Sequence, residues 1–194
     1  MMQNKRIVGI TGGSGCGKSY VSGLLRDRGI PVIDCDLVSR EVMVKGEPCY
    51  REVLAEFGEE ILLPDGEINR RKLGEIVFAD PKKLEKLNEI THKHILADIY
   101  NKIEKEESKV VCLDGATLIE SGITCHYLVG ILADKMLRRK RIMARDSLSE
   151  ESAKRRIDAQ HEDEFFIEKC DFVVYNNEDG FDVEDLVKRM INEA

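Results

Sequence analysis

The stretch Arg6-Ile7-Val8-Gly9-Ile10-Thr11-Gly12-Gly13-Ser14-Gly15-Cys16-Gly17-Lys18-Ser19 decides the fold. An apolar run leads into Gly12 to Ser19, which meets G-x-x-x-x-G-K-[ST] at every fixed position, and an amphipathic segment from Tyr20 to Arg28 follows. Strand, glycine-rich loop and helix in that order are what a phosphate-binding loop requires. Small residues let successive backbone N–H groups converge on a phosphate, and the helix start adds partial positive charge. Gly13, Ser14, Gly15, Cys16, Gly17, Lys18 and Ser19 are therefore assigned to a nucleoside triphosphate, with Lys18 reaching the β- and γ-phosphates and the Ser19 hydroxyl on Mg2+. The competing reading is a glycine-rich turn that binds nothing.

Outward from this loop, short runs rich in Val, Ile and Leu read as parallel strands buried on both faces: Arg6 to Ile10, Pro31 to Asp34, Lys109 to Asp114, Tyr127 to Ala133 and Phe172 to Tyr175. Helical patterns cover Lys18 to Arg28, Lys135 to Arg145 and Asp182 to Ile191. The alternation predicts the α/β class: a P-loop NTPase three-layer fold, with a five-stranded parallel sheet and helices on both faces. From about Val38 to Glu107 the pattern is helix after helix, punctuated by Gly46 with Pro48, Asp65-Gly66 and Asp80-Pro81, which marks a helical insertion.

The chain has 194 residues, 42% hydrophobic and 35% charged, which fits one principal globular domain and contains no apolar run long enough for a membrane span. Neither a secretory nor a transit signal is readable at the N-terminus, so a cytoplasmic location is expected. Cys16, Cys35, Cys49, Cys112, Cys125 and Cys170 are scattered without metal-ligand spacing and read mostly as reduced thiols. A net charge of −7 argues against a nucleic-acid binder, and a monomer working on small molecules is expected. The average conceals Lys135 to Arg156, where nine basic residues face three acidic ones.

The loop alone leaves a regulatory switch and a kinase open. A guanine-nucleotide switch needs D-x-x-G and N-K-x-D, whereas Asp114 continues as Gly115-Ala116-Thr117, and Asn176-Asn177-Glu178-Asp179 lacks the lysine. Phosphoryl transfer to an alcohol needs a carboxylate near the γ-phosphate. Asp34 and Asp36 end the second strand pattern and, in an extended segment, share a side; Asp36 is the chosen base, its alternative role being the cap of a helix beginning at Leu37. Asp114 is read as a second metal-site carboxylate or as a plain strand-end turn. Among the basic residues, Arg145 and Arg156 are chosen to stabilise charge on the transferring group, with Ser149 the expected cap of the helix bearing Arg156. Cys16, close to Lys18 and a helix start, is expected to be a reactive thiolate unless its sulfur points inward.

These residues, together with Val32-Ile33-Asp34-Cys35-Asp36 and Arg40, Phe57-Gly58, Asp65-Gly66-Glu67-Ile68-Asn69-Arg70, Ile90-Thr91-His92, Leu118-Ile119-Glu120, Arg145-Asp146, Arg156-Ile157 and Gln160, resemble the dephospho-coenzyme A kinase family. The resemblance implies ATP and Mg2+, phosphorylation of the ribose 3′-hydroxyl of dephospho-coenzyme A, and Asp36 as base. It implies a nucleotide-binding core (about 1–37 and 108–194), a helical acceptor-binding region (about 38–107) and a lid (about 145–165). Arg40, Asn69, Arg70, His92 and Glu120 become acceptor-side candidates. Tyr20 replaces the family's usual threonine, so its contact to the α-phosphate falls to the backbone N–H. His92-Lys93 and Ala116-Thr117 also depart from the family pattern, and a related P-loop kinase of another nucleoside or small alcohol remains the alternative.

Overall fold

The structure is a computed structural model, described over residues 5–177 and 183–192. Two compact units divide the chain, Met1–Asp34 with Glu106–Ala194, and Cys35–Lys105. The first is built on the expected sheet. Strands β1 (Arg6–Thr11), β2 (Val32–Asp34), β3 (Val110–Asp114), β4 (Tyr127–Leu132) and β5 (Phe172–Tyr175) are all parallel and lie in the order β2-β3-β1-β4-β5. With β1 central and flanked by later strands, the loop that follows it opens where the strand order reverses, the usual ligand crevice of an open α/β sheet.

Alternation along each strand supplies both faces. Val8, Ile10, Val129 and Ile131 pack with Val21 and Leu25 of α1 (Lys18–Asp27) and with Leu186 and Met190 of α9 (Val183–Asn192). Leu128, Leu132 and Val173 pack instead with Phe165 and Phe166 of α8 (Asp163–Lys169). Both faces are covered by helices, which is why each strand reads as an unbroken apolar run. The remaining helices of this unit are α6 (Lys135–Asp146) and α7 (Glu150–Asp158), joined at Ile142, Ala153 and Ile157. Ser149 caps α7 as expected, its side chain accepting from Ser152 N. The expected last-helix start at Asp182, and Glu178 and Asp179, lie outside the described residues.

The second unit contains α2 (Cys35–Glu41), α3 (Pro48–Phe57), α4 (Arg70–Phe78) and α5 (Pro81–Lys105). Its turns follow the punctuation. Pro48 and Pro81 open helices, the Asp80 carboxylate accepts from Lys82 N at 2.9 Å, and Asp65-Gly66 forms a turn closed by the Leu62 to Ile68 bridge. Helix α5 packs against α2, α3 and α4 and buries Ile90, Ile99 and Ile103. Among the described residues no helix is long and apolar enough to cross a membrane.

Candidate active site

The phosphate loop leaves β1 and closes on itself before α1 begins. Gly17, the N-cap of α1, has φ +92°, and a Cβ there would lie 2.1 Å from Asn176 Nδ2, so both conformation and space demand glycine. No side chain caps α1, and an uncapped helix start is suited to an anion. Lys18 Nζ folds back to the Gly12 carbonyl at 2.7 Å. Ser22, one turn into α1 and fully buried, donates through its hydroxyl to Asp114 Oδ2 at 2.6 Å. Asp114 ends β3 in register with Asp34 on β2 and Ile10 on β1. The buried carboxylate is thereby fixed against α1, one turn in from its start. Ser22 was not singled out in the sequence, although it stands three and four residues after Ser19 and Lys18, the spacing of one helical face.

Two expectations about the acidic pair need correction. The strand ends at Asp34 and α2 begins at Cys35, so Asp34 and Asp36 do not share the side of one extended segment. Nor does Asp36 cap a helix starting at Leu37; it is the second residue of α2, inside the first turn. Both side chains are exposed. Cys16 requires a third correction. It is 1% exposed, and burial pushes its thiol above its ordinary range, outweighing the opposing influence of Lys18 and Arg138. The inward-pointing alternative is the one observed, because the loop wraps its sulfur into the core beside Val21 and Ile131.

The wall of the loop comes from side chains that motif reading did not assign. Arg138 donates from Nε to the Ser14 carbonyl at 3.0 Å. Arg141 Nη1 donates to the Asn176 carbonyl at 2.9 Å and approaches the carbonyls of Gly15 and Cys16 at 3.4 Å each. Buried Asn176 donates from Nδ2 to the Cys16 carbonyl at 3.0 Å, and Gln160 reaches Ser14. The signal was present in the spacing: Arg138, Arg141 and Arg145 recur at three and four residues, one face of a helix.

A match to the family model described as dephospho-CoA kinase spans residues 6–182. The chain is 42% identical to a dephospho-CoA kinase of Arabidopsis thaliana over 89% of this chain and 76% of the relative, and 39% identical to one of Listeria monocytogenes over 89% of each. It is similar to the solved dephospho-CoA kinase of Campylobacter jejuni, with TM-score 0.67, 26% identity and coverage of 96% of this chain and 97% of that one. The chain belongs to the dephospho-CoA kinase family. It is a phosphotransferase, and its fold is that of the P-loop kinases.

In this dephospho-CoA kinase family member, Arg145 makes a two-pronged pair with its neighbour Asp146, at 2.8 and 2.9 Å, and Arg156 binds the same carboxylate. Both arginines are exposed, and the pairing, led by Arg145, holds the Asp146 carboxyl at about 2. Glu120 and the His161 ring lie 3.2 Å apart at the surface, with His161 stacked on Phe165 at 3.7 Å. In the helical unit, Arg70 Nη2 donates to the Arg40 carbonyl at 3.4 Å, bringing those two candidates together. Asn69 between them caps α4, its Oδ1 accepting from Lys72 N at 3.1 Å. His92 is exposed midway along α5, and Tyr20 is 59% exposed on α1.

Proposed function

We propose that this kinase transfers the γ-phosphoryl group of Mg-ATP to the ribose 3′-hydroxyl of dephospho-CoA, giving CoA and ADP. The observation that carries the reading is the loop from Gly12 to Ser19, seated between β1 and α1 with the Asp114 carboxylate oriented by Ser22 beside it. Backbone amides from Gly13 to Tyr20, apart from that of Ser14, which Gln160 holds, would take phosphate oxygens, and Lys18 would exchange the Gly12 carbonyl for the β- and γ-phosphates. Asp36 would accept the hydroxyl proton as the O3′–P bond forms and the bond to the β-phosphate breaks. Arg145 and Arg156 would leave Asp146 to meet the transferring group, and Arg40, Asn69, Arg70, His92 and Glu120 would hold the acceptor. This assigns the nucleotide to about residues 1–37 and 108–194, the acceptor to about 38–107, and closure to about 145–165.

Mg2+ would arrive with the nucleotide as Mg-ATP and neutralise charge developing on the phosphates. The Ser19 hydroxyl and the Asp114 carboxylate offer only oxygen donors, which suits a hard divalent cation. No group of three or more His, Cys, Asp or Glu among the described residues could hold a metal ion, so most ligands would come from triphosphate and water. The net charge of −7 supports small-molecule partners over nucleic acid, and action as a cytoplasmic monomer is part of the same proposal. The test is ATP consumption with dephospho-CoA, nucleosides, nucleoside monophosphates, shikimate and pantothenate in parallel. Rapid turnover is expected with dephospho-CoA alone, with CoA as the product by mass; turnover confined to another alcohol would move the enzyme to a different substrate.

A further inference from the structure

Ser14 is gripped at every polar atom by a network outside the loop. Its N–H donates to Gln160 Oε1 at 2.8 Å, its hydroxyl oxygen accepts from Gln160 Nε2 at 3.1 Å, and its carbonyl accepts from Arg138 Nε at 3.0 Å. Arg138 Nη2 donates at 3.2 Å to the same Gln160 oxygen, and Nη1 lies 3.7 Å from Asp163 Oδ1. Arg138 is only 2% exposed. A guanidinium in that position has given up its hydration, and directed hydrogen bonds must replace it. Gly13 shows that the arrangement is built into the loop. A Cβ at that residue would stand 2.3 Å from Arg138 Nη2 and 3.1 Å from Gln160 Oε1, so a side chain there would expel the pair.

We infer that Gln160 and Arg138 are positioning residues of the nucleotide site: Arg138 orients the Gln160 amide, and the two together set the Ser14 peptide so that the loop is shaped for triphosphate before it arrives. The inference rests on the reading of the loop as an ATP site. Preorganisation of this kind lowers the ordering cost of binding, so its loss weakens nucleotide affinity without touching the acceptor. A mere brace between the loop and the α7–α8 turn predicts something else, namely that stability falls and affinity does not.

Mg-ATP binding by calorimetry, steady-state kinetics and thermal melting separate the two. Gln160→Ala is expected to weaken Mg-ATP binding and raise KM for ATP about tenfold, with KM for the acceptor unchanged and kcat at saturating ATP within about twofold. Gln160→Glu keeps an acceptor for Ser14 N–H and strengthens the bond from Arg138, but brings negative charge to the loop. Its melting temperature should hold or rise while nucleotide affinity falls by more than in the alanine variant. Arg138→Lys should retain more affinity than Arg138→Met. Wild-type protein that fails to bind Mg-ATP would overturn the reading of the site itself. Wild-type binding accompanied by unchanged affinity in Gln160→Glu, whatever the stability of the other variants, overturns the positioning role alone.

Discussion

The wall of the phosphate loop and the far end of α6 draw arginines from the same basic segment and use them in opposite ways. Arg138 is buried and donates to the Ser14 carbonyl, and Arg141 donates to the Asn176 carbonyl and approaches those of Gly15 and Cys16. Arg145 and Arg156 share Asp146 at an exposed site. Exposed ion pairs are screened by solvent and add little net stability, so the proposed exchange of Asp146 for a phosphate would cost little. Breaking the buried contacts of Arg138 leaves unsatisfied polar atoms at about 1–3 kcal/mol. The charge that braces the loop is buried and hydrogen-bonded; the charge proposed to meet the transferring group is kept at the surface on an exposed partner.

The comparison is broken first at Lys18, which touches the loop at Gly12 and is proposed to act on phosphate. Lys18→Ala should lower kcat/KM by about 10³-fold with an unchanged circular dichroism spectrum, the scale of removing a group that stabilises transition-state charge. Near-normal turnover in the folded variant would detach the loop from the chemistry. Next, Asp36→Asn should depress kcat by about 10²-fold while ATP binding persists, the range for a positioned base. A larger loss from Asp34→Asn would transfer the role to the end of β2.

The contrast between the two arginine pairs is sharpened by substituting both. Arg145→Ala and Arg156→Ala should each slow turnover about tenfold or more with stability within about 0.5 kcal/mol, whereas Arg138→Met should cost about 2 kcal/mol by denaturant unfolding. Equal stability losses at all three positions would erase the distinction. The smallest effect concerns Asp146, whose carboxyl is held at about 2 by Arg145 first and Arg156 second, against an ordinary 3.8. Its folded value is depressed, so its contribution is complete above the unfolded value and is lost as pH falls from about 4 to 2. Asp146→Asn should flatten that part of the stability profile; an unchanged acid slope would show that the pairing is not maintained in solution.

What could be read without coordinates was the part governed by local rules. The spacing from Gly12 to Ser19 fixes a strand, a loop and a helix because only that backbone lets consecutive amides converge. Unbroken apolar runs announce strands covered on both faces, and Ser149, Asp80 and Pro81 announce helix starts through hydrogen bonds made within three residues. The end of β2 was misread because Asp34 and Asp36 carry no local signal for whether the chain stays extended, and the turn into α2 at Cys35 is a choice made by packing. Cys16 was misread for a related reason: proximity to Lys18 is visible in one dimension, while the burial that dominates its thiol is not.

The sequence by itself therefore determined the phosphate loop, the parallel sheet and the family, since each rests on spacing along the chain. Only the tertiary structure decided which cations serve the loop. Arg138 and Ser14 are 124 residues apart in sequence, and Asn176 and Cys16 are 160 apart. Their hydrogen bonds exist because β4, next to β1, leads into α6, and β5, next to β4, ends just before Asn176, within reach of the loop that follows β1. No local propensity encodes a contact of that separation; it follows from the order of strands in the sheet.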